Sequence, residues 1–194
     1  YCAGYKAFLN AGKTERECVR EGIRLAEEKG FRPYARGMEL KTGDKVYLDN
    51  RGKMLLLAVI GEKSLAEGAQ ITAAHIDSPR LDLKPSPLYE KNELAYLKTH
   101  YYGGIRKYQW VTIPLELHGV VALKDGSAVT VTIGAGDEPK LVINDLLPHL
   151  GAEQSKKTLA EGIAGEQLNL LVGSEPLEGE EKDRVKLAVM KRLY

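Results

Sequence analysis

The chain has 194 residues, 43% hydrophobic and 28% charged, with 28 Lys and Arg against 27 Asp and Glu for a net charge of +1. That length carries one large domain or two small ones around a real core, and the even charge balance offers no electrostatic footprint for nucleic acid or an acidic membrane surface. No apolar run approaches the ~20 residues of a membrane span, and the two cysteines, Cys2 and Cys18, form no CxxC pair, which leaves out a zinc ribbon or a thioredoxin-type motif.

The first clear element is "KTERECVREGIRLAEEKG", residues 13 to 30. Thr14 with Glu17 three residues on reads as a capping box, and Gly30 as the residue that ends the helix. Cys18, Gly22, Leu25 and Ala26 share one face, with Val19 and Ile23 beside it, so Cys18 packs as a small hydrophobe. "KVYLDNRGKMLLLAVIG" follows as a β-hairpin with "DNRG" as its turn. "AQITAAH" (69–75) reads as a third strand, apolar on both faces, of the kind that lies inside a sheet covered on both sides. The polar stretch from Lys84 to Glu93, with Pro85 and Pro87, reads as a boundary between two domains, 1–88 and 89–194.

Beyond the boundary the pattern is β-rich: "LAYLKTHYYGG", "YQWVTIPLELHGVVAL" and "AVTVTIG", with "KDGS" (124–127) as the tight turn between the last two. "LVINDLLPHLG" leads into a Lys/Glu-rich segment, the short apolar run "LNLLVG", and an amphipathic helix in "EEKDRVKLAVMKRLY". This second region is expected to be a β-sandwich or barrel-like domain with added helices, inserted into or appended to an α/β domain. The chain starts at Tyr1 without an initiator Met and stops at Tyr194 inside the helical pattern, so a fragment of a longer protein is expected.

The chemistry concentrates in "ITAAHIDSPRLDLKP" (71–85). His75 ends the expected interior strand, and ligands in α/β sheets bind beyond the carboxyl ends of strands. Neutral imidazole is the commonest transition-metal ligand. Asp77, two residues on, does not chelate the same ion from extended backbone. Where the chain bends toward Pro79, it serves instead as the partner that fixes the imidazole tautomer. The competing reading is a surface ion pair or capped turn, and a zinc site wants three or four protein ligands where this segment offers one. His118 reads as a packed or half-exposed strand residue and His100 as part of a strand end and turn. Pro148 argues against a regular helix joining Asp145 and His149, which makes His149 a loop residue. No GxSxG elbow, phosphate loop or GxGxxG fingerprint is present.

"AHIDSPRLDLKP", "KTHYYGGI", "LELHGVV" and "LPHL", in this order and spacing, resemble the aspartyl aminopeptidase family of zinc metallopeptidases, in its bacterial branch. "YKAFLNAGKTERECVREGIRLAEEKGF" and "VYLDNRGK" fit the same family, so the resemblance covers nearly the whole chain. It implies the N-terminal part of a metallopeptidase α/β/α catalytic domain followed by an inserted β-rich dimerisation domain. It further implies two Zn2+ ions per complete subunit (Mn2+ or Co2+ being alternatives), a homo-oligomer built from dimers into a dodecamer, and removal of N-terminal residues from a peptide substrate in the cytoplasm. His75 matches the family's first metal ligand and Asp77 its catalytic aspartate. His149 matches a histidine that reaches a neighbouring subunit's substrate site.

The remaining ligands and the general base are expected outside this chain. "EE" at 27–28 lies on the predicted helix, and "EE" at 180–181 reads as a solvated helix start. "QWVTIPL" stands where the family's eukaryotic members carry an acidic-basic pair, so a preference for acidic residues is not implied. Two other readings stay open: a non-catalytic assembly or binding module, and a dinuclear metallopeptidase with another substrate class.

Overall fold

The computed structural model describes residues 1–179 and 181–193. The chain divides into two compact units, Tyr1–Ser78 and Pro79–Tyr194. The polar stretch from Lys84 to Glu93 therefore does not separate them. It lies within a hairpin, and the division falls ten residues before position 88.

The first unit opens on helix α1 (Cys2–Ala11), an element that the sequence reading does not predict. Helix α2 (Glu15–Glu28) forms where the capping box places it. The Thr14 amide donates to Glu17 Oε2 at 2.9 Å, and the Glu17 amide returns to Thr14 Oγ1 at 3.4 Å. Its far end closes with Gly30 at φ +82, the Gly30 amide on the Glu27 carbonyl and the Phe31 amide on the Ala26 carbonyl. This left-handed termination satisfies two carbonyls of the last turn, as Gly at this position allows. Strands β1 (Arg32–Pro33), β2 (Lys45–Asn50) and β3 (Met54–Val59) make a three-stranded sheet, β1 parallel and β3 antiparallel to β2. The β2–β3 turn has Arg51 and Gly52 both at positive φ, the backbone of the primed turns that match strand twist.

Residues 69–75 do not form the expected third strand. They run outside any ladder, and Ile71 is 79% exposed. A strand exists only through a neighbour's backbone, and among the described residues none pairs with this segment.

Among the described residues the second unit holds one four-stranded antiparallel sheet and one separate ribbon, rather than a sandwich or barrel. Strands β4 (Arg80–Lys91) and β5 (Leu94–Tyr102) form a hairpin, followed by the one-turn helix α3 (Lys107–Trp110). Strands β6 (Leu117–Ala122) and β7 (Ala128–Ile133) make the ribbon. Strands β8 (Val142–Ile143) and β9 (Leu170–Gly173) complete the sheet in the order β4-β5-β9-β8, and helix α4 (Arg184–Leu193) follows. Pro85 and Pro87 are tolerated because β4 is an edge strand and carries a register irregularity between Leu83 and Leu88, with Ser86 at φ 52.

The core gathers Leu141, Ile143, Ile163, Leu168 and Leu170, with Leu81, Leu97 and Leu117 packed against it. Helix α4 packs Val185 and Val189 over Gly173 and Ala95. The Glu90 carboxylate accepts from the amides of Val185 (2.9 Å) and Lys186 (2.8 Å), which caps the start of α4 from the neighbouring strand. The expected helix therefore begins at Arg184, with Glu181 in the bend before it. Glu180 and Tyr194 lie outside the described residues.

Candidate metal centre

His75 and Asp77 sit in the unpaired segment at the end of the first unit. The His75 Nδ1 lies 2.9 Å from Asp77 Oδ1 and 3.0 Å from the Asp77 main-chain carbonyl oxygen. A carbonyl oxygen only accepts, so Nδ1 is the ring nitrogen that carries the proton. In the neutral ring this leaves the lone pair on Nε2, and with the side chain 81% exposed that nitrogen is open to a metal. Orientation of an imidazole by a carboxylate behind it is the usual outer support of a zinc-ligating histidine. The chain has to curl for residues two apart to meet in this way, and the segment does so without strand pairing.

The segment is tied to α2. Residues 74–77 line a groove of about 430 Å³ together with Phe8 of α1, Cys18, Val19 and Gly22 of α2, and Leu55 and Leu57 of β3. Cys18 Sγ lies 3.7 Å from the Ile76 carbonyl oxygen, between the two candidate residues, and 3.5 Å from the Gly12 carbonyl oxygen. Burial, then the negative Glu17 and Glu15, push its thiol pKa up. Gly22 leaves room for Leu55, whose Cδ2 would lie 2.8 Å from any Cβ there. Sequence reasoning finds Cys18 as a core residue but not as the anchor of the His75–Asp77 segment. That contact spans 58 positions, and no local pattern encodes it.

His149 belongs to the second unit, in a turn closed by the Leu150 and Gly151 amides on the Leu147 carbonyl. It is an exposed loop residue, as Pro148 requires, and Asp145 spends its Oδ1 on the Leu146 amide and Gln154 Nε2 rather than on the histidine. His118 is half-buried in β6, 3.1 Å from Glu116 Oε2, and His100 lies in β5 stacked on Tyr101. Glu27 accepts from the Tyr47 hydroxyl, and Glu28 pairs with Arg24, so that acidic pair is engaged on α2. Among the described residues no three His, Cys, Asp or Glu come together as a metal cluster. The donor set present fits one arm of a zinc site.

The family model described as Aminopeptidase I zinc metalloprotease (M18) matches residues 8–194. The chain belongs to the M18 aminopeptidase family. It is 53% identical over 195 residues to a probable M18 family aminopeptidase 1 of Clostridium acetobutylicum, covering 97% of this chain and 42% of that protein. A probable M18 family aminopeptidase 1 of Thermotoga maritima is 45% identical over 194 residues, again with 42% of its length covered. The fold matches the crystal structure of an M18-family aminopeptidase from Thermotoga maritima with a TM-score of 0.90 at 44% identity, over 99% of this chain and 42% of that one. The mApe1 dodecamer of S. cerevisiae shares the fold at 18% identity and a TM-score of 0.64. The chain thus spans less than half the length of the M18 relatives it matches. Among the described residues, no helix is long and apolar enough to cross a membrane.

Proposed function

We propose that this chain is the N-terminal part of a longer cytoplasmic M18 aminopeptidase, and that it supplies one arm of a dinuclear metal centre. The observation that carries the reading is the His75–Asp77 pair, with Nδ1 held as a donor and the imidazole largely exposed, in a chain of a zinc metalloprotease family. When bound, a two-zinc centre supplies Lewis-acid assistance to amide hydrolysis. Mn2+ and Co2+ suit the same imidazole donor. In this reading His75 gives its Nε2 lone pair to one ion, and Asp77 keeps the ring proton on Nδ1 and raises the basicity of the ligand. The substrate is a peptide shortened from its N-terminus. The β-rich second unit serves homo-oligomeric assembly, and His149 on its exposed loop reaches peptide bound in a neighbouring subunit.

The test is His75→Ala in the longer protein. Metal occupancy and peptidase rate are expected to fall together, and full activity in that variant contradicts the assignment. Asp77→Asn, which loses the charge behind the imidazole, is expected to cost about 10- to 100-fold in metal affinity or rate. A panel of peptides differing in their first residue decides the substrate class. A clear acidic preference supports the aspartyl aminopeptidase reading, and a flat or apolar profile supports another dinuclear peptidase.

A further inference from the structure

Among the described residues no strand ladder holds residues 69–77, so the orientation of His75 depends on the contacts this segment makes with the rest of the first unit. One of those contacts comes from α2. The Thr14–Glu17 capping box fixes where α2 begins, and Gly22 lets the helix lie so close to Leu55 of β3 that a Cβ there would meet Cδ2 at 2.8 Å. Cys18 and Val19, one turn into the helix, are 7% and 2% exposed. Helix α2 is therefore a fixed support, and the Cys18 side chain is carried on it.

Cys18 Sγ lies 3.7 Å from the Ile76 carbonyl oxygen and 3.5 Å from the Gly12 carbonyl oxygen. Both oxygens only accept, so the thiol proton is the donor between them. The α1–α2 turn leaves space for the sulfur. A Cβ at Gly12 would lie 2.8 Å from Sγ, and the Gly12 φ of −104 is open to any residue. Crowding at Cys18, rather than the backbone angle, favours glycine there.

The Ile76 carbonyl stands between His75 and Asp77, and its direction sets the curl that brings the Asp77 carbonyl and Oδ1 to within 3.0 and 2.9 Å of His75 Nδ1. We infer that Cys18 is a positioning residue of the metal arm. Through the Ile76 carbonyl, 58 positions away, it holds the curl in which Nδ1 keeps its proton. The inference rests on the reading of His75 as a metal ligand and goes beyond it by naming the residue on α2 that keeps the ligand oriented. A thiol is a weak donor, so its effect is not bond strength. It removes conformations of an unpaired segment that metal binding would otherwise have to remove, which is preorganisation of the ligand.

The test is zinc affinity of the longer protein, read by competition with a chelator, beside the urea midpoint of the metal-free protein. Cys18→Ala is expected to weaken zinc binding about three- to tenfold, below the cost of losing a direct partner of the ligand. Ala26→Gly serves as the control. Ala26 is buried near the far end of the same helix and does not line the groove beside residues 74–77. Its substitution lowers the urea midpoint, as glycine inside a helix does, and leaves zinc affinity unchanged. Where Cys18→Ala does not fold, Gly12→Ala keeps the thiol but displaces it, and the same loss of zinc affinity is expected. With His75→Ala losing zinc, unchanged affinity in Cys18→Ala, or an equal loss in Ala26→Gly, overturns this inference alone. If His75→Ala keeps its zinc, the reading of His75 as a ligand falls, and the role of Cys18 with it.

Discussion

At Cys18 the thiol has a structural role that its residue type alone does not announce. Its Sγ lies near two main-chain carbonyls, one of them Ile76 between His75 and Asp77, and burial raises its pKa. Less thiolate at pH 7–8 means slow alkylation. Cys2 is exposed, so one equivalent of iodoacetamide is expected to label Cys2 first, with Cys18 reacting only on unfolding. Equal labelling of both in the folded chain contradicts the buried anchor. The His75–Asp77 pair is legible in the sequence because it is nearly local: two residues apart, with a proline close behind. The anchoring of that pair is not, since Cys18 meets Ile76 only through the fold. The role of His149 comes from resemblance alone, because its loop carries no partner that declares a chemistry.

The elements divide along the same line. Helix α2 is readable to the residue at its start because Thr14 and Glu17 cap within one turn. The β2–β3 hairpin is readable from its turn. Pro85 and Pro87 point the wrong way, because in an edge strand with an irregular register the missing amide has no partner to lose. Helix α4 begins where Glu90, 95 positions away, receives its first amides, a cap that no local window contains. Glu90→Ala is expected to destabilise the second unit by ~1 kcal/mol, within the range of a lost helix cap, read as a lower urea midpoint. Gly173→Ala forces a Cβ to within 2.6 Å of Val189 Cγ2, and overpacking of this kind costs ~1–3 kcal/mol. A stability equal to that of the unaltered chain in both variants argues against the packing of α4 on β5 and β9.

For the whole molecule, the first unit carries the sharper prediction. Leu48, Met54 and Leu56 lie on the face of the β2–β3 hairpin opposite Leu55, which packs on α2, and they are 42%, 49% and 50% exposed. Residues 69–75 have the composition of an interior strand and, among the described residues, no ladder to join. Their amides are expected to exchange rapidly with solvent, while those of the β4–β5 hairpin stay protected. Slow, cooperative exchange across 69–75 contradicts this picture. The sequence pattern reports the strand's affinity for an interior but not the absence of a neighbour, since pairing is a property of the rest of the fold.

Elemental analysis is the sharpest test of whether His75 and Asp77 form one arm of a metal centre completed elsewhere. Metal content is measured on the 194-residue chain beside the longer protein, with a peptidase assay on each. The longer protein is expected to hold about two metal ions per subunit, as a two-metal site requires, and the 194-residue chain to be inert and metal-free. Tight metal binding with peptide hydrolysis by the 194-residue chain alone would contradict the split site, because the full ligand set would then lie within these residues.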